Sequence, residues 1–352
     1  MMIKAALVVG ARPQFIKTAP LITELGRFWQ VVLIHTGQHY DFMMSENFFQ
    51  ELSIPHPDYH LNIPHGSQGM QTGRMLEGLE SVLKFENPQL VIVVGDTNST
   101  MAGAIAATKL RLPLAHVEAG VRAQDKNLPE QINRVVTDSI SDYYLCPSKI
   151  EVNNLAREGI TGNVFDSGDV IYDCLRMFER YIPQAPANIG QLPSEYLLVT
   201  LHRAEAVDNK ENLDRILKSL SKVPFEVLFP AHPRTLKRLH QFNLYDTIPR
   251  NIRLLDPVGY LDILSLIRKS SLVITDSGGI QREAVFLKKP VMIARPETEW
   301  LGLLETGLVK ISGYSFEYDP SLRDSTGNCS LIDYIIRPAS QIIAETLNSC
   351  IP

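Results

Sequence analysis

Apolar residues in this chain gather in short uninterrupted runs rather than alternating with polar ones. In the first half the runs are Ala5 to Val9, Val31 to His35, Leu90 to Val94, Leu114 to Val117 and Tyr143 to Cys146. In the second half they are Tyr196 to Leu201, Phe225 to Phe229, Ile252 to Leu255, Leu272 to Thr275 and Val291 to Ala294. Each stops at Gly, Asp, His or Ser or close to one, and helical spacing follows. Continuous runs suit strands covered on both faces, so the pattern predicts two parallel sheets flanked by helices, an α/β chain of two Rossmann-like domains. The stretch after Asp41, with Phe42, Met43, Met44, Phe48 and Phe49, reads as an apolar core face. Between the halves, the proline-bearing segment Tyr181 to Pro193 lacks apolar periodicity and is the expected crossing between domains.

Composition narrows the function classes. A length of 352 residues suits two domains, and 45% apolar with 21% charged residues is ordinary for a globular protein. The 34 basic and 39 acidic residues leave a net charge of −5 with no like-charge block, so no nucleic-acid footprint is expected. Cys146, Cys174, Cys329 and Cys350 lie far apart with no zinc spacing, which favours reduced thiols, no metal and a cytoplasmic protein. The longest apolar runs fall far short of the ~20 residues that span a bilayer, and MMIKAALVVG lacks the apolar core and cleavage site of a signal peptide.

Ligands of open parallel sheets bind beyond the carboxyl ends of the strands, and two facing sheets would enclose a cleft. After the first run comes Gly10-Ala11-Arg12-Pro13-Gln14-Phe15-Ile16-Lys17. A glycine turn feeding a helix N-terminus, with Arg12 and Lys17 adding full charges, is built like an anion site; a plain strand–helix turn explains it equally well. It is neither a dinucleotide fingerprint nor a Walker A loop. Asp276-Ser277-Gly278-Gly279 repeats the idea in the second half: Ser277 can cap the next helix, Gly278 and Gly279 admit a phosphate, and Glu283 could accept ribose hydroxyls. Proton-transfer candidates also sit at run ends. Asp96 follows Leu90 to Val94, with an N-cap role as the alternative. His116 and Glu118 lie on one face if alternation continues, and Glu130 opens a helix where an acidic residue is ordinary. His202 and His232 end successive runs in the second half. There is no HExxH, EF-hand, G-x-S-x-G elbow or catalytic-looking cysteine.

Taken together, GARPQFIK, HTGQHYD, VVGDTNST, HVEAGVR, PEQINR, LHRAE, AHPRT, TDSGGIQRE and RPETEW, in this order from about residue 3 to about residue 312, resemble the non-hydrolysing UDP-N-acetylglucosamine 2-epimerases. The resemblance implies the GT-B architecture: an N-terminal domain over 1–170, a UDP-binding domain over 171–335, a C-terminal helix over 336–352 returning to the first domain, and a homodimer. It further implies inversion at C2 of a UDP-linked 2-acetamido sugar, by anti elimination of UDP to a glycal and readdition after reprotonation from the opposite face. No cofactor, metal, nucleic acid or membrane is implied. By motif, Asp96, Glu118, Glu130 and His202 match the acid/base set. Arg12, Lys17, His232, Ser277, Gly278, Gly279, Glu283 and Arg295 match substrate and UDP contacts. Gln38, His39 and Arg74 match residues through which a second UDP-sugar activates some members.

Several positions depart from the best-known bacterial members. GARPQFIK stands for GTRPEAIK, Thr298-Glu299-Trp300 for a TER segment, Val258 and Ile263 for residues near the uracil pocket, and Ser139 for a histidine. With TGRML at 72–76 and DPVGYL at 256–261, these look more like the branch acting on UDP-2,3-diacetamido-2,3-dideoxyglucuronate. A hydrolysing epimerase and a GT-B glycosyltransferase are the alternative readings.

Overall fold

A computed structural model describes residues 3–37, 55–63, 66–186, 189–325, 327 and 338–351, and within helices the backbone but not the side chains of 12 and 13. The chain divides into two compact units, Met1–Met177 with Ile335–Pro352, and Phe178–Tyr334.

The first unit carries a seven-stranded sheet in the order β3-β2-β1-β4-β5-β6-β7. Its strands are β1 (Lys4–Val9), β2 (Gln30–His35), β3 (Tyr59–His60), β4 (Leu90–Val94), β5 (Leu114–Val117), β6 (Tyr143–Cys146) and β7 (Val164–Asp166), all pairing in parallel. β4, LVIVV, is buried at every position, as a central strand covered on both faces must be. The helices are α1 (Arg12–Leu25), α2 (Gln68–Glu86), α3 (Asn98–Lys109), α4 (Pro129–Ile140), α5 (Lys149–Arg157) and α6 (Val170–Phe178). α3 is rich in small residues and lies directly on the sheet: a Cβ at Gly103 would meet Val93 Cγ1 at 2.9 Å. Ala6, Val8, Ile34, Val91 and Val93 from the strands and Met75, Leu79 and Leu83 from α2 form one buried cluster. Each fully buried aliphatic there stabilises the fold by about 1.5–3 kcal/mol.

The second unit repeats the arrangement with six parallel strands in the order β10-β9-β8-β11-β12-β13. They are β8 (Tyr196–Thr200), β9 (Glu226–Pro230), β10 (Ile252–Leu255), β11 (Leu272–Thr275), β12 (Val291–Ile293) and β13 (Val309–Ile311). Between them run α7 (Ala204–Val207), α8 (Lys210–Leu220), α9 (Pro233–Gln241), α10 (Tyr260–Lys269) and α11 (Gly278–Phe286), with α12 (Pro320–Arg323) after the last strand. α8 buries Leu213, Ile216, Leu217 and Leu220, a helical stripe that covers the sheet.

The last helix, α13 (Ala339–Cys350), belongs to the first unit, where it packs on α1. Asp173 fixes its start by accepting the Ala339 and Ser340 N–H groups at 3.1 and 2.6 Å. Both sheets are α/β and Rossmann-like, with the order 3-2-1-4-5-6 of dinucleotide-binding folds, in line with the class expected for the chain. Three strands escape the sequence reading: β3, β7 and β13, of two or three residues each, all at sheet edges. Half-solvated edge strands carry no continuous apolar run.

Candidate active site

In each sheet the strand order reverses once, between β1 and β4 in the first unit and between β8 and β11 in the second. Crevices open at such switch points, beyond the carboxyl ends of the strands. The motifs singled out by sequence fall there: Gly10 to Lys17 after β1, Gly95 to Asn98 after β4, His202 and Arg203 after β8, and Asp276 to Gly279 after β11.

At the end of β1 the Gly10 and Ala11 N–H groups, just ahead of α1, both donate to Gln14 Oε1 at 2.8 and 2.9 Å. Buried Gln14 in turn donates to Val94 O (2.8 Å) and Thr100 Oγ1 (3.1 Å), so one side chain ties the β1 turn to the β4 turn. Gly10 is there for packing, since a Cβ would come within 2.0 Å of both Ser99 Oγ and Thr36 Oγ1. Of the two cations named from this segment, Lys17 lies in α1 with its ammonium buried. The Arg12 side chain is outside the described residues.

Lys17 meets Glu118 in a buried ion pair. Glu118 sits just past β5 with φ +74°, a left-handed conformation that costs an L-residue about 1–2 kcal/mol. It is held there because the Glu118 and Ala119 N–H groups both donate to Leu145 O at 3.0 and 3.2 Å. Local strain of this kind persists where surrounding structure over-determines it, and it concentrates at functional positions. Gly95, with φ +70°, lies against the pair: a Cβ would stand 3.4 Å from Lys17 Nζ and 3.9 Å from Glu118 Oε1.

Asp96 is not the N-cap of α3. Thr97 takes that place, leaving the Asp96 carboxylate to pair with Arg134 of α4. Asn133 on the same helix donates to Asp96 O at 2.9 Å and to Asn98 Oδ1 at 3.2 Å. Glu130 stands half-buried in the first turn of α4, one turn before Arg134 and on the same helix face. Gln68 at the start of α2 accepts from Asn98 Nδ2 at 2.5 Å, and Arg74 lies exposed further along α2. Gln38 and His39 are outside the described residues.

His116 does not share the role of Glu118. Alternation ends with β5, and the fully buried His116 ring instead bridges two acceptors, Asp138 Oδ1 at 2.6 Å and Gly95 O at 2.8 Å. A carbonyl and a carboxylate oxygen both accept, so the ring satisfies both only as an imidazolium. Asp138 also takes Arg122 Nη1 (2.7 Å) and the Gly120 N–H (3.1 Å). Burial pushes its carboxyl up, but the charges of His116 and Arg122 outweigh burial and hold it below the usual range. This buried cluster locks the Gly95 and Gly120 turns on either side of Glu118. Behind Gly120, Glu151 is buried at the start of α5, and desolvation raises its carboxyl to about 7 despite the Ser148 hydroxyl donated to it at 2.6 Å.

In the second unit, the fully buried Asp276 carboxylate receives the backbone N–H groups of His202 (3.0 Å) and Arg203 (2.8 Å), and lies 3.2 Å from His202 Nδ1. His232, two residues past β9, caps α9 by accepting the Arg234 N–H at 3.2 Å; the two histidine rings are 6.0 Å apart. Ser277 caps α11, accepting the Ile280 N–H, as its position suggested. The glycines that follow differ. A Cβ at Gly278 would press on Trp300 Nε1 (2.8 Å) and Glu299 Oε1 (2.9 Å), whereas Gly279 faces only Ser277 Oγ at 3.8 Å. Gly278 is thus required by the Thr298-Glu299-Trp300 loop, and Gly279 is the glycine with room beside it. Buried Glu299 pairs with Arg203 (3.0 Å) and Arg295, while Arg282 stacks 3.6 Å over Trp300. Arg295 Nε and Gln281 Nε2 are buried donors with no hydrogen-bond partner among the described residues. Glu283 is buried within α11.

Sequence reasoning therefore reached Asp96, Glu118, His202 and Ser277 at the strand ends but passed over Gln14, Arg134, Asp276 and Glu299, which hold them or their neighbours. Gln14 had a signal, three residues after the N-cap Ala11, the spacing of a capping box.

A family model described as UDP-N-acetylglucosamine 2-epimerase matches residues 24–317. A UDP-N-acetylglucosamine 2-epimerase homolog of Methanococcus maripaludis is 46% identical over 85% of this chain and 85% of its own. A UDP-2,3-diacetamido-2,3-dideoxy-D-glucuronate 2-epimerase of Pseudomonas aeruginosa is 41% identical over 86% of each. Among solved structures, the Methanocaldococcus jannaschii UDP-GlcNAc 2-epimerase, crystallised with UDP-GlcNAc and UDP, is 38% identical with a TM-score of 0.87, covering 99% of this chain and 100% of that one. With the sheets, the strand-end motifs and the similarity running through both units, the chain belongs to the UDP-N-acetylglucosamine 2-epimerase family.

Proposed function

We propose that this enzyme inverts C2 of a UDP-linked 2-acetamido sugar without hydrolysis: anti elimination of UDP leaves a glycal, C2 is reprotonated on the other face, and UDP adds back. The C2–H bond is weakly acidic, so the reaction needs general bases on both faces of the ring and a grip on the departing diphosphate that keeps it available. Asp96, Glu118, Glu130 and His202 are the proposed acid/base set. Arg12, Lys17, His232, Ser277, Gly278, Gly279, Glu283 and Arg295 are the proposed contacts to the nucleotide and sugar, with Gln38, His39 and Arg74 as regulatory contacts.

One observation carries the reading: Glu118, kept in a costly left-handed conformation, holds its carboxylate against the buried Lys17 ammonium beside Gly95. Strain at a buried, paired carboxylate suits a base that must be placed to within a fraction of an ångström. The unspent donors on Arg295 and Gln281 suit an anionic ligand that brings its own acceptors.

The substrate is UDP-N-acetylglucosamine or its 2,3-diacetamido uronate analogue. Thr298-Glu299-Trp300, where the best-known members carry the TER segment, with TGRML at 72–76 and DPVGYL at 256–261, supports the second. The domain division 1–170 with 336–352 and 171–335, a homodimer and a cytoplasmic site belong to the same proposal. Among the described residues no helix is long and apolar enough to cross a membrane, and Cys146, Cys174 and Cys350 are free thiols. Incubation with each UDP-sugar in heavy water tests the reading. Deuterium at C2 of both epimers is expected; equal amounts of free sugar and UDP would establish hydrolysis, and no exchange with either substrate would overturn epimerisation.

A further inference from the structure

The two switch-point turns of the second unit are joined by one carboxylate. Asp276 follows β11 and His202 follows β8, and these strands are neighbours in register, Thr275 beside Thr200. Asp276 is fully buried, and its Oδ2 accepts two backbone donors, His202 N–H at 3.0 Å and Arg203 N–H at 2.8 Å. Its Oδ1 accepts the His202 N–H more weakly and faces His202 Nδ1, each at 3.2 Å. Burial works against this charge, but His202 and the two backbone donors outweigh it and keep the carboxyl below its ordinary range. An ionised oxygen facing Nδ1 calls for a proton on that nitrogen. Nε2 meets no hydrogen-bonding partner among the described residues, and the side chain is 43% exposed.

We infer that Asp276 is a positioning residue: it fixes His202 as the Nδ1–H tautomer and leaves Nε2 as the nitrogen that exchanges protons with the substrate. The inference rests on the epimerase reading for what His202 does, though not for how the ring is held. The arrangement follows the logic by which a buried carboxylate sets the tautomer of a catalytic imidazole in serine proteases. The backbone contacts decide what a substitution does. In Asp276→Asn the amide oxygen keeps the Oδ2 position, because two N–H donors converge there, and the NH2 group takes the Oδ1 position. It then presents a donor to Nδ1, which must accept, and the ring proton moves to Nε2. The fold keeps the two backbone hydrogen bonds at the Oδ2 position and loses only the weaker His202 N–H contact at Oδ1, while the basic nitrogen is lost.

The experiment uses the full chain with 15N-labelled histidine, His202 being identified by its missing signals in His202→Gln. The wild type is expected to show a protonated Nδ1 and an unprotonated Nε2, and Asp276→Asn the reverse. Turnover of the active UDP-sugar should fall about 10³–10⁴-fold in Asp276→Asn, the scale of a wrong-tautomer histidine, while UDP binding measured by calorimetry stays within about twofold. In a His202→Gln background the same substitution should cost less than about twofold, because Asp276 acts through the ring. A wild-type signal with the proton on Nε2 overturns the inference. So does an equal loss of turnover from Asp276→Asn with and without His202, which would mark a structural role alone. A wild type that epimerises neither UDP-sugar would refute the epimerase reading, and the tautomer measurement would then decide the inference by itself.

Discussion

Glu151 offers the sharpest quantitative test of the electrostatics around the first switch point. Its carboxyl is buried behind the Gly120 turn, close enough to Glu118 and Asp169 for their charges to oppose its own, and desolvation lifts it from 4.5 to about 7. At ~1.4 kcal/mol per tenfold change in proton affinity, that difference corresponds to about 3 kcal/mol between native and unfolded chains. Because the native pKa is raised, the native state holds a proton that the unfolded chain releases from about pH 4.5 upward. This contribution is fully present below 4.5, is lost as pH rises to about 7, and is constant beyond. Glu151→Gln is neutral in both states and keeps an acceptor for the Ser148 hydroxyl. The variant should therefore gain on the wild type by about 3 kcal/mol between pH 4.5 and pH 8, read from urea unfolding of both proteins at the two pH values. If the stability difference between the two proteins is the same at both, Glu151 is ionised in the native protein and the account of its burial is wrong.

Other expectations concern the same turns. Glu118→Gln should cut turnover by orders of magnitude while UDP binding, followed by calorimetry, changes little; wild-type-like turnover would remove Glu118 from the acid/base set. Asp138→Asn leaves the buried His116 ring and Arg122 facing a neutral partner, and should cost about 3–5 kcal/mol in chemical denaturation. A loss below about 1 kcal/mol would show that the ring is not an imidazolium. Gly95→Ala forces an alanine to φ +70° and brings a methyl to 3.4 Å from Lys17 Nζ. It should lower stability by about 1–2 kcal/mol in thermal melts and slow turnover at least tenfold by displacing the ammonium from Glu118.

The sequence alone determined the class and the strands at the centre of each sheet, because strands covered on both faces must be apolar throughout, and that leaves a continuous run such as Leu90 to Val94. It also placed Asp96, Glu118, His202 and Ser277 at strand ends, where a parallel sheet presents its ligands. It could not decide which partner each group meets. Alternation put His116 beside Glu118, yet the chain turns left-handed at Glu118, and the ring binds Asp138 and Gly95 instead. What forbids a side chain at Gly10 and Gly278 is Ser99 and Trp300, 89 and 22 residues away in the chain. Gln14, Arg134 and Asp276 work through contacts 38 to 86 residues distant in the chain. Local pattern records how a residue is buried along its own element; which residues are drawn together is set by the parallel order of strands far apart in sequence, and only tertiary structure supplies that.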